Sequence, residues 1–285
     1  LIFTQEVQAM AFEGSRRGFL LGAGALALAP SGAAATDSDR DDIRLAVATY
    51  SLRGFQRDLA IKIIKDLNVR YASVKEYHLP YHDTPEQLAA GRKKFAEAGI
   101  EIASGGVVYL MRDEDADMRY YFEYAKTCGM PMMTIMPTAQ TMPRVERFVK
   151  EYNIKVAIHN HGPEDKNFPT PQSALRAVKD LDARCGICID AGHTARAGAD
   201  VVESIRQAGP RLFDMHIKDL HSITKGTDCP VGEGALPITG IFRELKKMDY
   251  AGTVSLEYEI EEESPFTGMK ASFAYMRGVL AGLRG

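Results

Sequence analysis

The sequence predicts an α/β fold, a single (β/α)8 barrel of the TIM type, on three observations. From residue 44 onward, short apolar or β-branched runs alternate with amphipathic stretches, and the alternation repeats eight times. Eight such units in about 240 residues match the usual size of this barrel. No composition break or linker divides the chain, so one core is expected. A doubly wound open sheet is the structural alternative. It is disfavoured because eight regular units favour closure and no glycine-rich phosphate turn follows the first strand.

The first strand is expected in "RLAVATYS", the second in "YASVKEY" and the third in "IEIASGGVV". A helix follows in which Met118, Tyr121, Phe122 and Ala125 recur at i, i+3, i+4 and i+7. "PMMTIMPT" is the fourth strand, and Val145, Phe148, Val149 and Tyr152 mark the helix after it. "IKVAIHNH" is the fifth, followed by Thr170-Pro171, a proline at a helix start where its missing N–H is harmless. "CGICIDAGH" and "LFDMHIKD" are the sixth and seventh. Leu236-Pro237 then opens a helix carrying Ile238, Ile241, Phe242 and Leu245. "GTVSLEYE" is the eighth strand, and a last helix runs over about 265–283.

Composition bounds the function. The chain has 285 residues, 45% hydrophobic and 26% charged, which is ordinary for a globular protein. A formal net charge of −3 leans against nucleic acid, whose binding usually shows as a basic face. Cys185 and Cys188 form a C-x-x-C, but on a strand residues three apart point to opposite faces, so they read as packing residues. Cys128 and Cys229 stand apart from them. Nothing in the sequence sets an oligomeric state.

Residues 1–36 are expected to be a leader and 37–285 the barrel domain. "SRRGFLLGAGALALAPSGAAA" has a positive n-region at Arg16 and Arg17, an apolar run over 19–29, and an A-x-A cleavage site at Ala33-Ala34-Ala35. The run is too short to span a bilayer core of ~30 Å, so no stable membrane span is expected. S-R-R-x-F-L resembles the twin-arginine export signal, which implies a periplasmic protein with a mature start near Thr36.

Alternation along each strand sorts helix-facing from barrel-facing residues. In the fifth strand Ile154, Val156 and Ile158 oppose Lys155, Ala157, His159 and His161. In the sixth, Ile187 and Ile189 oppose Cys188 and Asp190; in the seventh, Phe213, Met215 and Ile217 oppose Asp214, His216 and Lys218. In the eighth, Val254 and Leu256 oppose Thr253, Ser255 and Glu257. With the large apolar side chains under the helices, His159, Asp190, His216 and Glu257 point into the barrel near its C-terminal mouth, where barrel enzymes keep their active sites. A lone inward histidine is usually a hydrogen-bonded core residue. Two imidazoles and two carboxylates on consecutive strands are instead a mixed N/O set suited to Mn²⁺, Zn²⁺, Co²⁺ or Fe²⁺.

Taken in order, "AIHNHG", "CIDAGH", "MHIKD", "VGEG" and "VSLEYE" resemble the xylose-isomerase-like TIM-barrel superfamily of sugar phosphate isomerases and epimerases, over roughly residues 44–283. The resemblance implies that Asp190, His216 and Glu257 are three of four metal ligands and that His193 touches substrate beside the metal. The strand-five ligand of the sugar epimerases is a glutamate that is also one of two acid/base carboxylates; here His159 holds that position. His161 shares its parity, so either histidine is a candidate ligand and the other a substrate or proton-transfer group. Further substrate-contact candidates are Lys218, Glu233 in "VGEG", and Glu76 or Lys75 after the second strand, where parity depends on which way Val74 faces. His78 is close by in "VKEYHLP", and Glu259 is a candidate rim residue.

The expected activity is a metal-dependent isomerisation or epimerisation of a carbohydrate by proton abstraction next to a carbonyl, through an enediolate. Glu257, His159 and His193 are the candidate catalytic groups, with His161 as a further candidate base. A 3-keto-glycoside lyase or dehydratase would use the same site. A non-catalytic sugar-binding barrel is the non-enzyme alternative. Apurinic-site endonucleases share the barrel but need more metal ligands and a basic face.

Overall fold

The computed structural model describes residues 43–284. The leader expected over 1–36 lies outside them. Parallel strands alternate with helices: β1 (Arg44–Ala48), α1 (Arg57–Asp66), β2 (Tyr71–Val74), α2 (Pro85–Glu97), β3 (Glu101–Leu110), α3 (Asp115–Cys128), β4 (Met132–Pro137) and α4 (Met142–Tyr152). They continue as β5 (Lys155–His159), α5 (Pro171–Val178), β6 (Cys185–Asp190), α6 (Ala191–Arg196), α7 (Val201–Ala208) and β7 (Leu212–Ile217). After β7 come β8 (Asp219–Ser222), β9 (Thr227–Cys229), α8 (Ile238–Lys247), β10 (Thr253–Leu256) and α9 (Phe266–Gly282). Eight strands close in the order β1-β10-β7-β6-β5-β4-β3-β2, so the molecule is the single (β/α)8 barrel that the alternation predicts.

Local chemistry sets the helix ends. Thr84 and Thr170 each accept a hydrogen bond from the backbone N–H three residues on and precede a proline at the first helical position. Pro237 is the residue before α8 rather than its first turn. α4 buries Met142, Val145, Phe148 and Val149 and turns its charged residues outward. Each such side chain contributes about 1.5–3 kcal/mol on leaving water.

The strands keep the expected parity except at Phe213, expected on the helix-facing side with Met215 and Ile217: a register shift between β6 and β7 leaves it unpaired in the ladder and it packs against the inner cluster. Val156, Ile158, Ile187 and Ile189 join the core between sheet and helices. Ala157, Cys188 and Met132 form a separate small cluster inside the barrel. Cys185 belongs to the outer core and Cys188 to the inner one, and both thiols are free, as a packing pair on opposite faces requires. Deep in the barrel Asp214 is buried among hydroxyls, accepting from Ser104 Oγ at 2.9 Å and Thr253 Oγ1 at 2.8 Å.

Two features depart from the expected strands. "DAGH" is not a strand end; Asp190 closes β6 and the next residues wind into α6. "LFDMHIKD" is split, because β7 stops at Ile217 and Asp219 opens the antiparallel ribbon β8-β9. Register places Asp190 beside His216, His216 beside Ser255, and His159 beside Cys188, so the strand ends that carry the polar residues lie at one level.

Candidate functional site

His159 ends β5, Asp190 ends β6, His216 is next to last in β7, and Glu257 directly follows β10. All four are buried. One donor atom from each lies within 4.8 Å of those of the other three. Their remaining contacts are poor. His159 Nε2 is 3.7 Å from Asp190 Oδ2, and His216 Nδ1 is 3.4 Å from Glu257 Oε2, both beyond a good hydrogen bond. Both ring nitrogens of each histidine and Asp190 Oδ2 are buried with no hydrogen-bond partner. An orphaned buried polar atom costs about 1–3 kcal/mol, and one nitrogen of each ring together with Asp190 Oδ2 can share a common partner. A divalent cation fits that role.

Protonation agrees with the fit at His159, Asp190 and Glu257; at His216 burial is outweighed by Cys188 and Glu257, which push the imidazole up, so a metal ion there must displace a proton. Burial pushes the His159 imidazole down, keeping it neutral. Burial alone would raise the Asp190 and Glu257 carboxyls; the Lys218 ammonium outweighs it and holds both well below the usual range. Neutral imidazoles and ionised carboxylates are the forms that ligate metal. Cys188 also lies near His159 and His216, but burial pushes its thiol up to about 12, so the carboxylates are the better donors.

Lys218 sits beside this cluster, as its inward parity predicts. Its Nζ is 3.4 Å from Asp190 Oδ2 and 3.2 Å from Glu257 Oε2, and it is paired with Glu259. Gly192 makes room for it: a Cβ there would stand 2.6 Å from Lys218 Cγ. His193 is on α6, whose N-cap is Asp190; Asp190 Oδ1 accepts the His193 backbone N–H at 2.7 Å. Arg196 donates to His193 Nδ1 at 3.1 Å. A guanidinium has no acceptor, so Nδ1 is the accepting nitrogen and Nε2 carries the proton. Burial, the largest effect, keeps this ring neutral, its pKa pushed down to about 3. His193 is therefore set up to donate from Nε2. The His161 ring is 4.4 Å from that of His193 and lies outside the donor cluster, which leaves His159 as the candidate donor from strand five.

A cavity of about 260 Å³ opens above the cluster. Lys75 and Glu76 both line it, with His159, His161, Glu257 and Glu259. Lys75 and Glu76 share the wall because the chain leaves β2 at Val74 and turns, which ends strict alternation. A larger cavity of about 540 Å³ lies at the other end of the barrel near Arg44, Lys155 and Thr253, away from the donor cluster.

Two candidates fall elsewhere. Glu233 is exposed and is not part of the cavity wall. Its turn is instead organised by buried Asp219, which accepts the N–H groups of Gly232, Gly234 and Leu236. His78 is buried with Nε2 3.2 Å from the Phe55 carbonyl, a packing role behind the mouth. Five wall residues are not marked by the sequence pattern: Val107, Met136 and the tyrosines Tyr50, Tyr77 and Tyr109. Tyr50 and Tyr77 lie just past strand ends and Tyr109 is exposed near the end of β3, and no spacing rule marks such positions.

Comparison with known proteins places this architecture. The profile described as "Xylose isomerase-like TIM barrel" matches residues 61–279, well over half of the chain. An uncharacterised protein of Methanocaldococcus jannaschii is 30% identical over 41% of this chain and 41% of its own length. An Escherichia coli protein provisionally named L-ribulose-5-phosphate 3-epimerase is 31% identical over 26% of this chain and 27% of its own. The matches thus span less than half the length of these curated relatives. Among solved structures, the IolI protein with a bound zinc atom superposes with a TM-score of 0.71 at 17% identity, covering 84% of this chain and 99% of that one. D-Psicose 3-epimerase from Clostridium cellulolyticum H10, solved with D-tagatose, gives 0.68 at 14%, covering 84% and 99%. A protein from Bacillus anthracis described provisionally as a 3-DHS dehydratase gives 0.68 at 16%, covering 82% and 98%. At these identities the structures speak for the fold, and together with the profile they lead to one statement: the chain belongs to the xylose isomerase-like TIM barrel family.

Proposed function

We propose that the chain is a divalent-metal-dependent enzyme that moves a proton next to a carbonyl of a carbohydrate, as an isomerase or epimerase. The observation that carries this reading is the convergence of His159, Asp190, His216 and Glu257, with their unpartnered donor atoms, beneath a cavity at the barrel mouth. Bound by these four side chains, a divalent cation (Mn²⁺, Zn²⁺, Co²⁺ or Fe²⁺) would supply Lewis acidity toward a carbonyl and a neighbouring hydroxyl. The relatives support the class: one is provisionally named as a sugar-phosphate epimerase, and similar folds include a D-psicose epimerase and a zinc-bound protein.

The chain's own groups divide the remaining work. Glu257 lies in the cavity wall, ionised, and is the base that takes the proton from the carbon. His193 donates from Nε2 to a substrate oxygen, because Arg196 occupies Nδ1. Lys218 holds the carboxylates ionised and has its own charge already matched. Glu76 brings a second carboxylate to the wall, with Oε2 buried, without a hydrogen bond and 3.5 Å from Lys75 Nζ, placed to return a proton. His161 and Lys75 complete the wall as hydrogen-bonding groups.

A second reading, a lyase or dehydratase acting on a keto-sugar or 3-keto-glycoside, is favoured by His159. A histidine where the sugar epimerases place a glutamate removes one of two symmetric carboxylates, and elimination needs only one base plus an acid for the leaving group. The test is solvent exchange. Metal-loaded protein is incubated with a panel of ketoses and keto-glycosides in D₂O, beside Glu257→Gln. Deuterium entering the sugar with isomer formation supports the first reading; loss of a substituent supports the second. Saturable sugar binding without exchange or turnover would leave a sugar-binding barrel and overturn both.

We also propose that the segment over 1–36 is a twin-arginine leader that exports the barrel domain to the periplasm. N-terminal sequencing of the exported protein should begin near Thr36; full-length protein retained inside the cell would refute it.

A further inference from the structure

We propose that the mouth selects an unphosphorylated sugar and seats the apolar face of its ring on a tyrosine rim made by Tyr50, Tyr77 and Tyr109. The inference rests on the carbohydrate reading above and narrows its substrate class. Two features of the cavity wall carry it, one of shape and one of charge.

All three tyrosines line the cavity. Tyr77 and Tyr109 remain 48% and 53% exposed, large apolar surfaces that folding has left in water beside the site. The rim is braced from behind. Tyr50 stands 6.0 Å from Tyr77, ring centre to ring centre. The Arg53 guanidinium packs over Tyr50 at 4.5 Å, and Lys75 Nζ lies 5.6 Å from Tyr50 and 5.8 Å from Tyr109. The C–H bonds on one face of a sugar ring carry small positive charge and match the negative face of a phenol, while its hydroxyl edge donates to carboxylates.

Charge excludes a phosphate ester. Lys75 donates to the Val107 carbonyl at 3.2 Å and is 3.5 Å from Glu76. Lys218 is held by Asp190, Glu257 and Glu259, and Arg53 by Glu262 at 2.9 Å. Each of these cations already has a carboxylate, and the carboxylates outnumber them. Among these described residues, a divalent cation on the donor cluster brings the mouth close to neutral, with no positive charge left over. A phosphate ester adds about −1.5 to −2 charges at pH 7 and meets Glu76, Glu257 and Glu259 instead of a free cation. A neutral sugar meets no such repulsion.

The test compares neutral sugars with their own phosphate esters on the metal-loaded protein: D-fructose with D-fructose 6-phosphate, and L-ribulose with L-ribulose 5-phosphate. Saturation-transfer NMR reads binding, and D₂O exchange is followed in the same samples. At least one neutral sugar should bind ~10-fold or more tightly than its ester, and Tyr77→Ala with Tyr109→Ala should weaken it ~10-fold while metal content is unchanged, about 1.4 kcal/mol. An ester that binds more tightly than its parent overturns this inference; if that ester also exchanges deuterium, the proposed function survives without it. Neutral binding that is indifferent to the two tyrosines also overturns it. If neither member of any pair binds or exchanges, both proposals fall.

Discussion

Replacing Lys218 with methionine removes a buried ammonium and keeps most of its stem. The nitrogen lies 3.4 Å from Asp190 Oδ2 and 3.2 Å from Glu257 Oε2, and it also pairs with Glu259. At an effective dielectric of ~20, each of the two measured contacts is roughly 5 kcal/mol of Coulomb attraction. Lysine's own desolvation opposes this and vanishes in the variant. The net loss for metal-free protein at pH 7 should therefore be about 3–5 kcal/mol, that of breaking a buried pair from one side. The pH dependence has a definite sign. Asp190 and Glu257 are held below the ordinary carboxylate range when folded, so their contribution is complete above pH ~4 and lost in stronger acid. Without Lys218 they take up protons at higher pH, so the gap between the proteins is widest near neutrality and narrows as pH falls. A divalent cation supplies the missing charge, and its binding to the folded state adds stability by mass action. Urea unfolding followed by circular dichroism, with chelator and with saturating Zn²⁺, reads all of this. A chelated Lys218→Met protein as stable as wild type at pH 7, or one that no divalent cation rescues, would refute the reasoning.

Other expectations follow from the same contacts. Asp219→Ala removes the acceptor for the N–H groups of Leu220, Gly232, Gly234 and Leu236, all at 2.9–3.1 Å, and should lower unfolding free energy by about 2–4 kcal/mol in urea titration. His78 is buried neutral, its pKa pushed by burial from 6.5 to about 4. Its contribution is complete above pH 6.5 and lost as pH falls to about 4, roughly 3 kcal/mol in all. In His78→Leu the stability difference between pH 7 and pH 4 should shrink by that amount; an unchanged difference would show that the imidazole is not the group responsible. Gly192→Ala drives a methyl to 2.6 Å from Lys218 Cγ and should reproduce part of the Lys218→Met loss, about 1–3 kcal/mol, in the same urea assay.

The barrel and the cluster of candidate metal donors are legible because both depend on periodicity. A strand period of two assigns each side chain to one face, and the large apolar residues fix which face is outside. His159, Asp190, His216 and Glu257 follow from that parity, and so does Lys218. Legibility stopped where chain geometry left the strand. Val74 ends β2, so parity could not choose between Lys75 and Glu76, and both reach the wall. "DAGH" read as strand continues into α6, because the Asp190 side chain can cap the following turn. Glu233 looked like a site residue because its turn lies close to the seventh strand; the turn is instead wrapped around Asp219, a contact that no local pattern reveals. The tyrosine rim is brought together from three separate places in the chain, and only closure of the barrel makes them neighbours.

Metal content measures the central claim most directly. Wild type and His159→Ala, purified without chelator and dialysed against Mn²⁺, Zn²⁺, Co²⁺ or Fe²⁺, would be assayed for bound metal per chain, with circular dichroism confirming that both are folded. The account predicts about one equivalent in wild type and a loss of at least ~10-fold in His159→Ala, as expected when one of four ligands is removed. A folded wild type that takes up none of the four metals, or a His159→Ala protein that keeps a full equivalent, would contradict it.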